Sequence, residues 1–391
     1  MIIMYLIFWI SLFIIFYTYV GYGIVLFILV KLKRLFVKAR NIDDVHFTPS
    51  LTLVVAAYNE EKIIEEKIHN TLSLQYPEDK FKIIFITDGS TDGTDTIITK
   101  YPQIKLMHKD ARSGKIAAVH RAMLEVNSEI VVFTDANTFL NKEALLKISR
   151  HYANPEVGAV SGEKRVHIDE SSDATAGEGF YWKYESKLKK WDYELYSVVG
   201  AAGELFSVRT VLYIPVEPDT LLDDFMISMK IAMKGYKIAY DPDAYAVEAS
   251  SENLKEEYKR KVRIAAGGIQ STIRTSKLFN PFFMPLLGFQ YISHRVLRWT
   301  ITPFLMIFVF FLNLFFIFQG AEMLYHIIMI GQIAFYASAV LGWLLERRQV
   351  RVKILFIPYY FCFMNYCMLA GMFRYFFTQK ATVLWDKAKR K

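Results

Sequence analysis

The chain has 391 residues, of which 53% are hydrophobic and 22% are charged, and its net charge is +8. Its mean hydropathy is +0.21, which is too apolar for a disordered chain and, with so many charges, excludes a bundle of membrane helices alone. The basic residues concentrate in segments 31–40, 346–353 and 378–391, which border apolar runs and together hold fourteen Lys or Arg against two acids. This distribution is typical of membrane topology and argues against a nucleic-acid partner.

The first predicted element is a transmembrane anchor at residues 1–31. Met1–Val30 carries no charged residue, and it exceeds the roughly 20 residues that cross a bilayer. A secretory signal has a basic start and a shorter apolar core, so we expect an uncleaved anchor. The basic residues that follow favour the cytoplasmic side for the next segment.

Residues 41–278 are predicted to form a cytoplasmic α/β domain. Apolar runs that are typical of strands occur at 51–57, 81–87, 104–108, 130–134 and 157–165, and most of the segments between them have helical periodicity. Such alternation predicts a mostly parallel sheet with helices on both faces, and ligands of these sheets bind at the carboxyl ends of the strands.

Polar side chains collect at those predicted strand ends. Asp88 follows the second strand, and Asp135 and Asn137 follow the fourth. Carboxylates gathered at one edge repel each other unless a cation lies between them, and a divalent metal with a phosphate ligand would serve. The alternative for each aspartate taken singly is a helix cap or a turn. Lys115, at the start of a predicted helix, is placed to meet a phosphate, or is simply solvated.

A second group of candidates lies further along the chain. Asp223 and Asp224 open a helical run, where one acid can orient a group while the other acts as a base, although an N-cap explains either one alone. The turn with Gly200, Gly203 and Glu204 would let a ligand, which in a transferase would be the acceptor, approach the backbone closely. Arg260 and Arg263 lie one helical turn apart, which suits a diphosphate or, alternatively, a helix face near anionic lipid.

The C-terminal part is predicted to return to the membrane. Residues 279–298 mix apolar and basic side chains and are predicted to form an interfacial amphipathic helix, or else a plain linker helix. Residues 299–377 contain three further apolar runs, and 378–391 form a basic tail. Four crossings from an outside N-terminus would place this tail outside, whereas its charges favour the inside.

The motifs occur in an order that resembles the membrane-bound family-2 glycosyltransferases, the group that contains cellulose, chitin and hyaluronan synthases. The resemblance implies a GT-A catalytic domain, which is Rossmann-like, between an N-terminal anchor and about four transmembrane helices in all. It covers nearly the whole chain, and four motifs in the right order are more specific than any one of them.

The resemblance also implies roles for particular residues. Val54–Glu61 resembles the nucleotide loop, so that Ala57, Tyr58 and Glu60 would lie near the uridine, and Asp88 matches the aspartate that contacts the base. Asp135-Ala-Asn137 takes the place of the DxD motif that binds Mg²⁺ or Mn²⁺. Asp224 stands at the catalytic base with Asp223 beside it, and Arg260 to Ile264 stand where the family has Gln-x-x-Arg-Trp.

Four positions depart from the family pattern. Asn137 replaces the second acid of DxD, Asp223 replaces Glu, Arg260 replaces Gln, and Ile264 replaces a Trp that is placed to stack on the acceptor sugar. An amide oxygen can still ligate a metal, whereas Ile cannot stack on a sugar as an aromatic ring does. Sugar transfer is therefore expected, and processive polymer synthesis stays an open alternative to single transfer.

The resulting hypothesis is an inverting glycosyltransferase in the cell (inner) membrane, with its catalytic domain in the cytoplasm. It would transfer sugar from a nucleoside-diphosphate donor, a UDP-sugar, to a glycan acceptor during exopolysaccharide synthesis. One alternative is a non-processive transferase that adds a single sugar to a lipid or lipid-linked acceptor. Another is an inactive subunit of a polysaccharide export complex.

Overall fold

A computed structural model describes residues 1–37, 42, 45–166, 175–248, 254–348, 350 and 352–378, without the side chains of residues 175–181 and 353. The basic tail predicted at 378–391 lies, apart from Thr378, outside these described residues.

One mixed sheet forms the centre of the domain, with the strand order β3-β2-β1-β4-β7-β6-β8-β5. Its strands are β1 (Leu51–Ala57), β2 (Phe81–Thr87), β3 (Lys105–Met107), β4 (Ile130–Asp135), β5 (Thr138–Leu140), β6 (Val157–Val166), β7 (Phe206–Arg209) and β8 (Lys237–Glu248).

The predicted parallel arrangement is confirmed for β1 to β4, where β1 pairs with both β2 and β4 and β2 pairs with β3. Beyond β4 the sheet changes, because β7 is antiparallel to both β4 and β6. Only two residues join β4 to β5, which is too short for a parallel crossover, and β5 pairs antiparallel with β8. The sheet is therefore mixed, and the sequence pattern does not predict β5, β7 and β8.

The helices of the described chain are α1 (Ile2–Phe16), α2 (Tyr22–Phe36), α3 (Ile64–Leu72), α4 (Thr94–Ile98), α5 (Lys115–Met123), α6 (Ala144–Arg150), α7 (Thr175–Leu195), α8 (Asp223–Ala232), α9 (Leu254–Arg274), α10 (Pro285–Tyr291), α11 (Leu297–Trp299), α12 (Thr302–Phe318), α13 (Met323–Arg347) and α14 (Lys353–Phe377). Short 3₁₀ segments occur at Glu78–Lys80, His151–Ala153, Thr210–Leu212 and Ser276–Phe279.

The central strands are buried on both faces. In β1 all seven residues are buried, and alternate side chains point into two separate apolar clusters. Val54 and Ala56 pack into one cluster with α5 and α8, whereas Leu53 and Val55 pack into the other with α3 and α6. This continuous apolar run is what a strand covered by helices on both sides requires.

Three helical segments of the described chain are long and apolar enough to cross a membrane: Ile2–Phe36, Met323–Arg347 and Ile354–Phe377. A fourth crossing is possible if the bent pair Pro285–Trp299 and Thr302–Phe318 forms one span, with a bend of 57° between its halves. The predicted interfacial segment 279–298 thus becomes helical at Pro285 and continues through Trp299, which the sequence analysis placed in the following span.

A buried group of charged side chains, which we call the joint, connects the domain to these helices. On α7, Asp192 accepts a hydrogen bond from the Tyr22 hydroxyl of α2, and its Oδ2 lies 2.6 Å from Nδ1 of His294. Glu185 pairs with His294 at 3.2 Å and with Arg298 at 3.1 Å. Although burial would raise the pKa of Glu185, the cations around it hold that pKa well below its usual range, so Glu185 stays ionised.

The joint lies where two π-helical segments meet, Tyr17–Gly21 between α1 and α2 and Ile292–Val296 between α10 and α11. The hydroxyls of Tyr17 and Ser293 are 2.8 Å apart. Such π segments widen a helix locally and re-aim its side chains.

Candidate active site

Two adjoining pockets open at the carboxyl ends of β1 and β4, where the sequence predicts the site. Ala56 and Lys115 line both of them. One pocket, of about 280 Å³, includes Asp135, Gly203 and Asp223. The other, of about 250 Å³, includes the candidates Ala57, Tyr58 and Asp88, and also Arg112 and Gly114, which the sequence did not indicate.

Asp88 is buried and its carboxylate already has donors from the chain. Its Oδ2 accepts hydrogen bonds from the backbone N–H groups of Ser113, at 2.7 Å, and Gly114, at 2.6 Å. Its Oδ1 lies 3.4 Å from Nη1 of Arg121. Asp88 therefore fixes the loop that leads into α5 at the floor of the second pocket, and its predicted contact with a base remains a prediction.

Tyr58 forms one wall of this second pocket, and the Arg112 guanidinium carbon lies 3.9 Å from the centre of its ring. An arginine stacked on an aromatic face gives a flat cationic surface of the kind that suits a nucleobase. Glu60, by contrast, is buried, and its backbone N–H donates to the Thr94 hydroxyl at 2.9 Å. The sequence analysis did not single out Arg112, because its pairing with Tyr58 joins two separate loops.

Lys115 lines both pockets, and its ammonium group lies next to acids of the first pocket. Its Nζ is 2.7 Å from Oδ1 of Asp135 and 3.9 Å from Oδ2 of Asp223. Burial lowers the pKa of Lys115, but the charges of Asp135 and Asp223 outweigh this effect, so the pKa is raised and the side chain is an ammonium. A fixed positive charge thus lies beside two of the predicted acids.

Asp135 ends β4, and Asn137 lies in the short turn before β5. Among the described residues, no group of three or more His, Cys, Asp or Glu side chains is placed to hold a metal ion. One carboxylate and one amide oxygen fit a cation such as Mg²⁺, which binds proteins through one or two carboxylates and takes further ligands from phosphates and water. Asp135 and Asn137 therefore fit a metal that arrives with a diphosphate.

A buried lysine that could not be predicted from the sequence as a site residue contacts the turn between β4 and β5. Lys67 on α3 is fully buried, and its Nζ donates to the Thr138 carbonyl at 2.6 Å. Burial lowers the pKa of Lys67 to about 7. Its position on α3 among apolar neighbours gives no sequence signal that distinguishes it from an exposed lysine.

Asp223 and Asp224 begin α8, and Asp223 lines the first pocket. Burial and the neighbouring charge of Asp223 raise the pKa of Asp224 to about 7, although Lys115 opposes the shift. A carboxylate with this pKa can accept a proton near neutral pH.

The glycine turn lies directly against this carboxylate. A Cβ at Gly203 would be 2.9 Å from Oδ2 of Asp224, and one at Gly200, where φ is +85°, would be 2.0 Å from the Phe225 ring. Both positions therefore need glycine, because a side chain would displace Asp224 or the aromatic ring that follows it.

Glu204, which the sequence analysis placed with the acceptor, is paired with Lys164. Although burial would raise the pKa of Glu204, Lys164 lowers it to about 2, so the side chain remains a carboxylate. Lys164 also pairs with Glu248, and Arg260 reaches the same Glu248 at 3.5 Å. The predicted acceptor residue is thus part of an internal ion network.

The two predicted arginines differ in their surroundings. Arg260 pairs with Glu257 at 3.1 Å as well as with Glu248. Arg263 is only partly buried and forms no hydrogen bond or ion pair with any described residue. Burial lowers the pKa of Arg263, and the negative charges of Asp223 and Asp135 partly offset that decrease. Because these two acids act on it, Arg263 lies near the first pocket. Arg263 is the arginine of the pair that remains available to an anion.

Comparison with known proteins identifies the domain. Residues 52–213 match the family described as Glycosyl transferase family 2. This part of the chain is therefore similar to family 2 glycosyltransferases. All of the candidates on the nucleotide loop, at the ends of β2 and β4, and in the glycine turn lie inside that match.

Two curated relatives are similar to this chain over part of their length. The poly-beta-1,6-N-acetyl-D-glucosamine synthase of Staphylococcus epidermidis is 28% identical over 246 residues, which cover 58% of this chain and 58% of that protein. The synthase of the same name from Staphylococcus aureus (strain COL) is 26% identical over 245 residues, which cover 60% and 57%. The matched part is thus less than two thirds of either relative.

A solved structure shows the same fold over almost the whole chain. The mannosyltransferase PcManGT from Pyrobaculum calidifontis, in complex with GDP-Man and Mn²⁺, superposes with a TM-score of 0.70 at 22% identity, covering 95% of this chain and 99% of that chain. The glycosyltransferase domain therefore has the predicted GT-A-like fold, and the likeness extends to the apolar helices on both sides of it.

Proposed function

We propose that the protein is an inverting glycosyltransferase that transfers a sugar from a UDP-sugar to a glycan acceptor in exopolysaccharide synthesis at the membrane. The observation that carries this proposal is the presence of a base and two cations around one pocket. Asp224, with its raised pKa, lies beside the glycine turn, and Lys115 and Arg263 lie near the acids of the same pocket.

The donor would bind with its nucleotide at the second pocket, between Tyr58, Arg112 and the loop that Asp88 fixes. Its diphosphate would lie toward Lys115 and Arg263. Asp135 and Asn137 would hold a divalent cation, Mg²⁺ or Mn²⁺, which, when bound, would neutralise charge on the diphosphate. We assign Arg263 rather than Arg260 to the diphosphate, because Arg260 already forms ion pairs with two carboxylates.

Transfer would proceed by a single displacement. An acceptor hydroxyl at the glycine turn gives its proton to the Asp224 carboxylate while its oxygen bonds to the anomeric carbon. The bond between that carbon and the diphosphate oxygen breaks, and UDP leaves with the electron pair. Because attack comes from the face opposite the leaving group, the configuration inverts. Arg263 and Lys115 stabilise the negative charge that develops on the diphosphate.

Three considerations support the polysaccharide assignment and its location. The two staphylococcal relatives are named as polysaccharide synthases, and apolar helices flank the domain on both sides. The basic residues after the first helix favour a cytoplasmic catalytic domain in the cell (inner) membrane. An inactive export subunit is disfavoured because Asp135, Asp224 and Arg263 are all present in one pocket region.

A second candidate is the addition of a single sugar to a lipid or lipid-linked acceptor. It is favoured by Ile264, which stands next to Arg263 where the resemblance implies an aromatic residue for stacking on a polymer. Both candidates use the same donor site and base, and they differ only in the acceptor.

The deciding experiment measures both UDP release and product size. The full-length protein in detergent is incubated with radiolabelled UDP-sugars and Mn²⁺, and the product is sized. Polymer supports exopolysaccharide synthesis, whereas one sugar on a lipid supports the second candidate. Asp224→Asn should abolish transfer, and Asp79→Asn, at an exposed position, is the matched control. Full transfer by Asp224→Asn would refute the assigned base.

A further inference from the structure

One face of α9 carries a set of contacts that the proposed reaction does not use. Gly267, Gln270 and Arg274 follow Arg263 at intervals of four, three and four residues, which places all four on one side of the helix. Arg263 faces the acids of the first pocket. The other three contact the loop Asp219–Leu222, which leads directly into Asp223 and Asp224.

Gln270 contacts that loop through both ends of its amide. Its Oε1 accepts a hydrogen bond from the Leu221 N–H at 2.9 Å, and its Nε2 donates to the Asp219 carbonyl at 2.9 Å. The side chain is only 5% exposed. Because both partners are backbone groups two residues apart, the amide fixes the path of the chain rather than one side chain.

Arg274 and Gly267 fix the same loop on either side of Gln270. Nη2 of Arg274 donates to both carboxylate oxygens of Asp219 at 2.7 Å, and Nη1 donates to the Thr220 hydroxyl at 2.8 Å. At Gly267 a Cβ would lie 2.6 Å from Leu222 Cγ, so the helix backbone touches the residue that precedes Asp223.

We propose that Gln270 and Arg274 form a clasp that positions Asp224 for proton transfer. The loop ends at Leu222, the N-cap of α8, and Asp224 is the second residue of that helix. A shift of the loop therefore moves the carboxylate relative to the acceptor. Gln270 and Arg274 act as positioning residues, since neither touches the reacting atoms. This inference rests on the proposed role of Asp224 as the base.

The clasp also connects catalysis to the membrane helices. Another side of α9 packs on α14, where a Cβ at Gly371 would lie 2.4 Å from the Ala265 Cβ and 2.9 Å from the Val262 carbonyl oxygen. One helix thus contacts a membrane-type helix, the loop that carries the base, and the pocket that would take the diphosphate.

The test compares Gln270→Met and Arg274→Met with Ser271→Ala in the full-length protein. Methionine keeps the length of the Gln270 side chain, is shorter than arginine at position 274, and removes the hydrogen bonds of both. Ser271 lies on the same helix and is fully buried, and its hydroxyl has no hydrogen-bond partner among the described residues, so Ser271→Ala is the matched control. For each variant, kcat, KM for the UDP-sugar, UDP affinity by calorimetry and Tm are measured.

We expect Gln270→Met to lower kcat by about 10- to 100-fold, the effect of a displacement near 1 Å, with KM and UDP affinity within about twofold of wild type. Arg274→Met should lower kcat less, by roughly three- to tenfold, because its side chain is partly exposed. Ser271→Ala should match wild type. If Gln270→Met does not fold, Arg274→Met decides the question by the same measurements.

Two results would overturn the clasp: an unchanged kcat in folded variants, or a loss of UDP affinity that equals the loss of activity. The second would indicate general damage to the pocket. These failures are distinct from failure of the proposed function, because Asp224→Asn would still be inactive if only the clasp were wrong. Full activity of Asp224→Asn would instead remove the base that the clasp is proposed to position.

Discussion

The two halves of the catalytic domain place their functional side chains in different ways. In the donor half, the part from β1 to β4 proposed to bind the donor, Tyr58 and Asp88 directly follow parallel strands and Asp135 ends a third, so the sheet brings them together. In the base half, the proposed base Asp224 lies against a glycine turn and follows a loop that α9 contacts. The proposed donor site thus rests mainly on sheet topology, whereas the proposed base rests on packing between elements far apart in sequence. Substitutions in the two halves should therefore fail in different ways.

The largest effect is expected from removing the base. Asp224→Asn should lower kcat by about 10²- to 10⁴-fold, since the amide cannot accept the acceptor proton. UDP affinity should stay within twofold, because the donor half is unchanged. Steady-state UDP release and calorimetry of UDP binding test both statements. A matching loss of UDP affinity would break the proposed division between the halves.

Substitution of Arg263 should weaken the binding and the reaction of the donor. Arg263→Met should lower kcat/KM by about 10²-fold, because it removes a cation from the developing charge on the diphosphate. UDP affinity should fall as well, in contrast to Asp224→Asn. Arg260→Met provides the comparison, since Glu248 and Glu257 already balance that side chain. Equal losses of UDP affinity in the two variants would contradict the assignment of Arg263.

The pH dependence of sugar transfer should reflect the ionisation of Asp224 and not the binding of the donor. The pKa of Asp224 is raised to about 7 by burial and by Asp223, and transfer requires the ionised form. The value of kcat/KM should therefore fall about tenfold for each pH unit well below 7 and level off above it. UDP affinity, measured over the same range, separates this effect from donor binding. An acid limb near pH 4 would mean that the base has an ordinary carboxyl pKa.

A moderate effect is expected from crowding the base without altering it. Gly203→Ala would place a Cβ 2.9 Å from Oδ2 of Asp224, and a small displacement of the carboxylate should lower kcat by roughly tenfold. The donor KM should not change. Kinetics over a range of UDP-sugar concentrations test this, and an increase in KM alone would show that the turn belongs to the donor half.

The smallest expected effect is a loss of UDP affinity on substitution of Arg112, whose guanidinium lies over the Tyr58 ring. Arg112→Ala should weaken UDP binding by about two- to fivefold, the size of a single partly exposed cation–π contact. Calorimetry with UDP and with UMP would test whether the loss occurs at the nucleoside, because a loss confined to UDP would place Arg112 at the diphosphate instead.

The same contrast explains what the sequence could predict. Asp88, Asp135 and Asn137 were predictable because a buried strand followed at once by polar residues places them at one sheet edge. The pairing of Glu204 with Lys164 and the separate surroundings of Arg260 and Arg263 were not predictable. The first joins residues that are 40 positions apart, and the second depends on where Glu248 and Glu257 pack. Arg112 and Gln270 were missed for the same reason.

The joint between α7 and the apolar helices has a consequence for the acceptor. Its buried ion pairs and hydrogen bonds hold the domain against α2 and the helix through His294, and α9 is held against α14 in turn. With the candidate spans embedded in a bilayer, the height of Asp224 above it would be fixed by the protein. The lipid-anchored acceptor of the second candidate function would have to carry its hydroxyl to that height, so the length of its head group would decide which molecules receive a sugar.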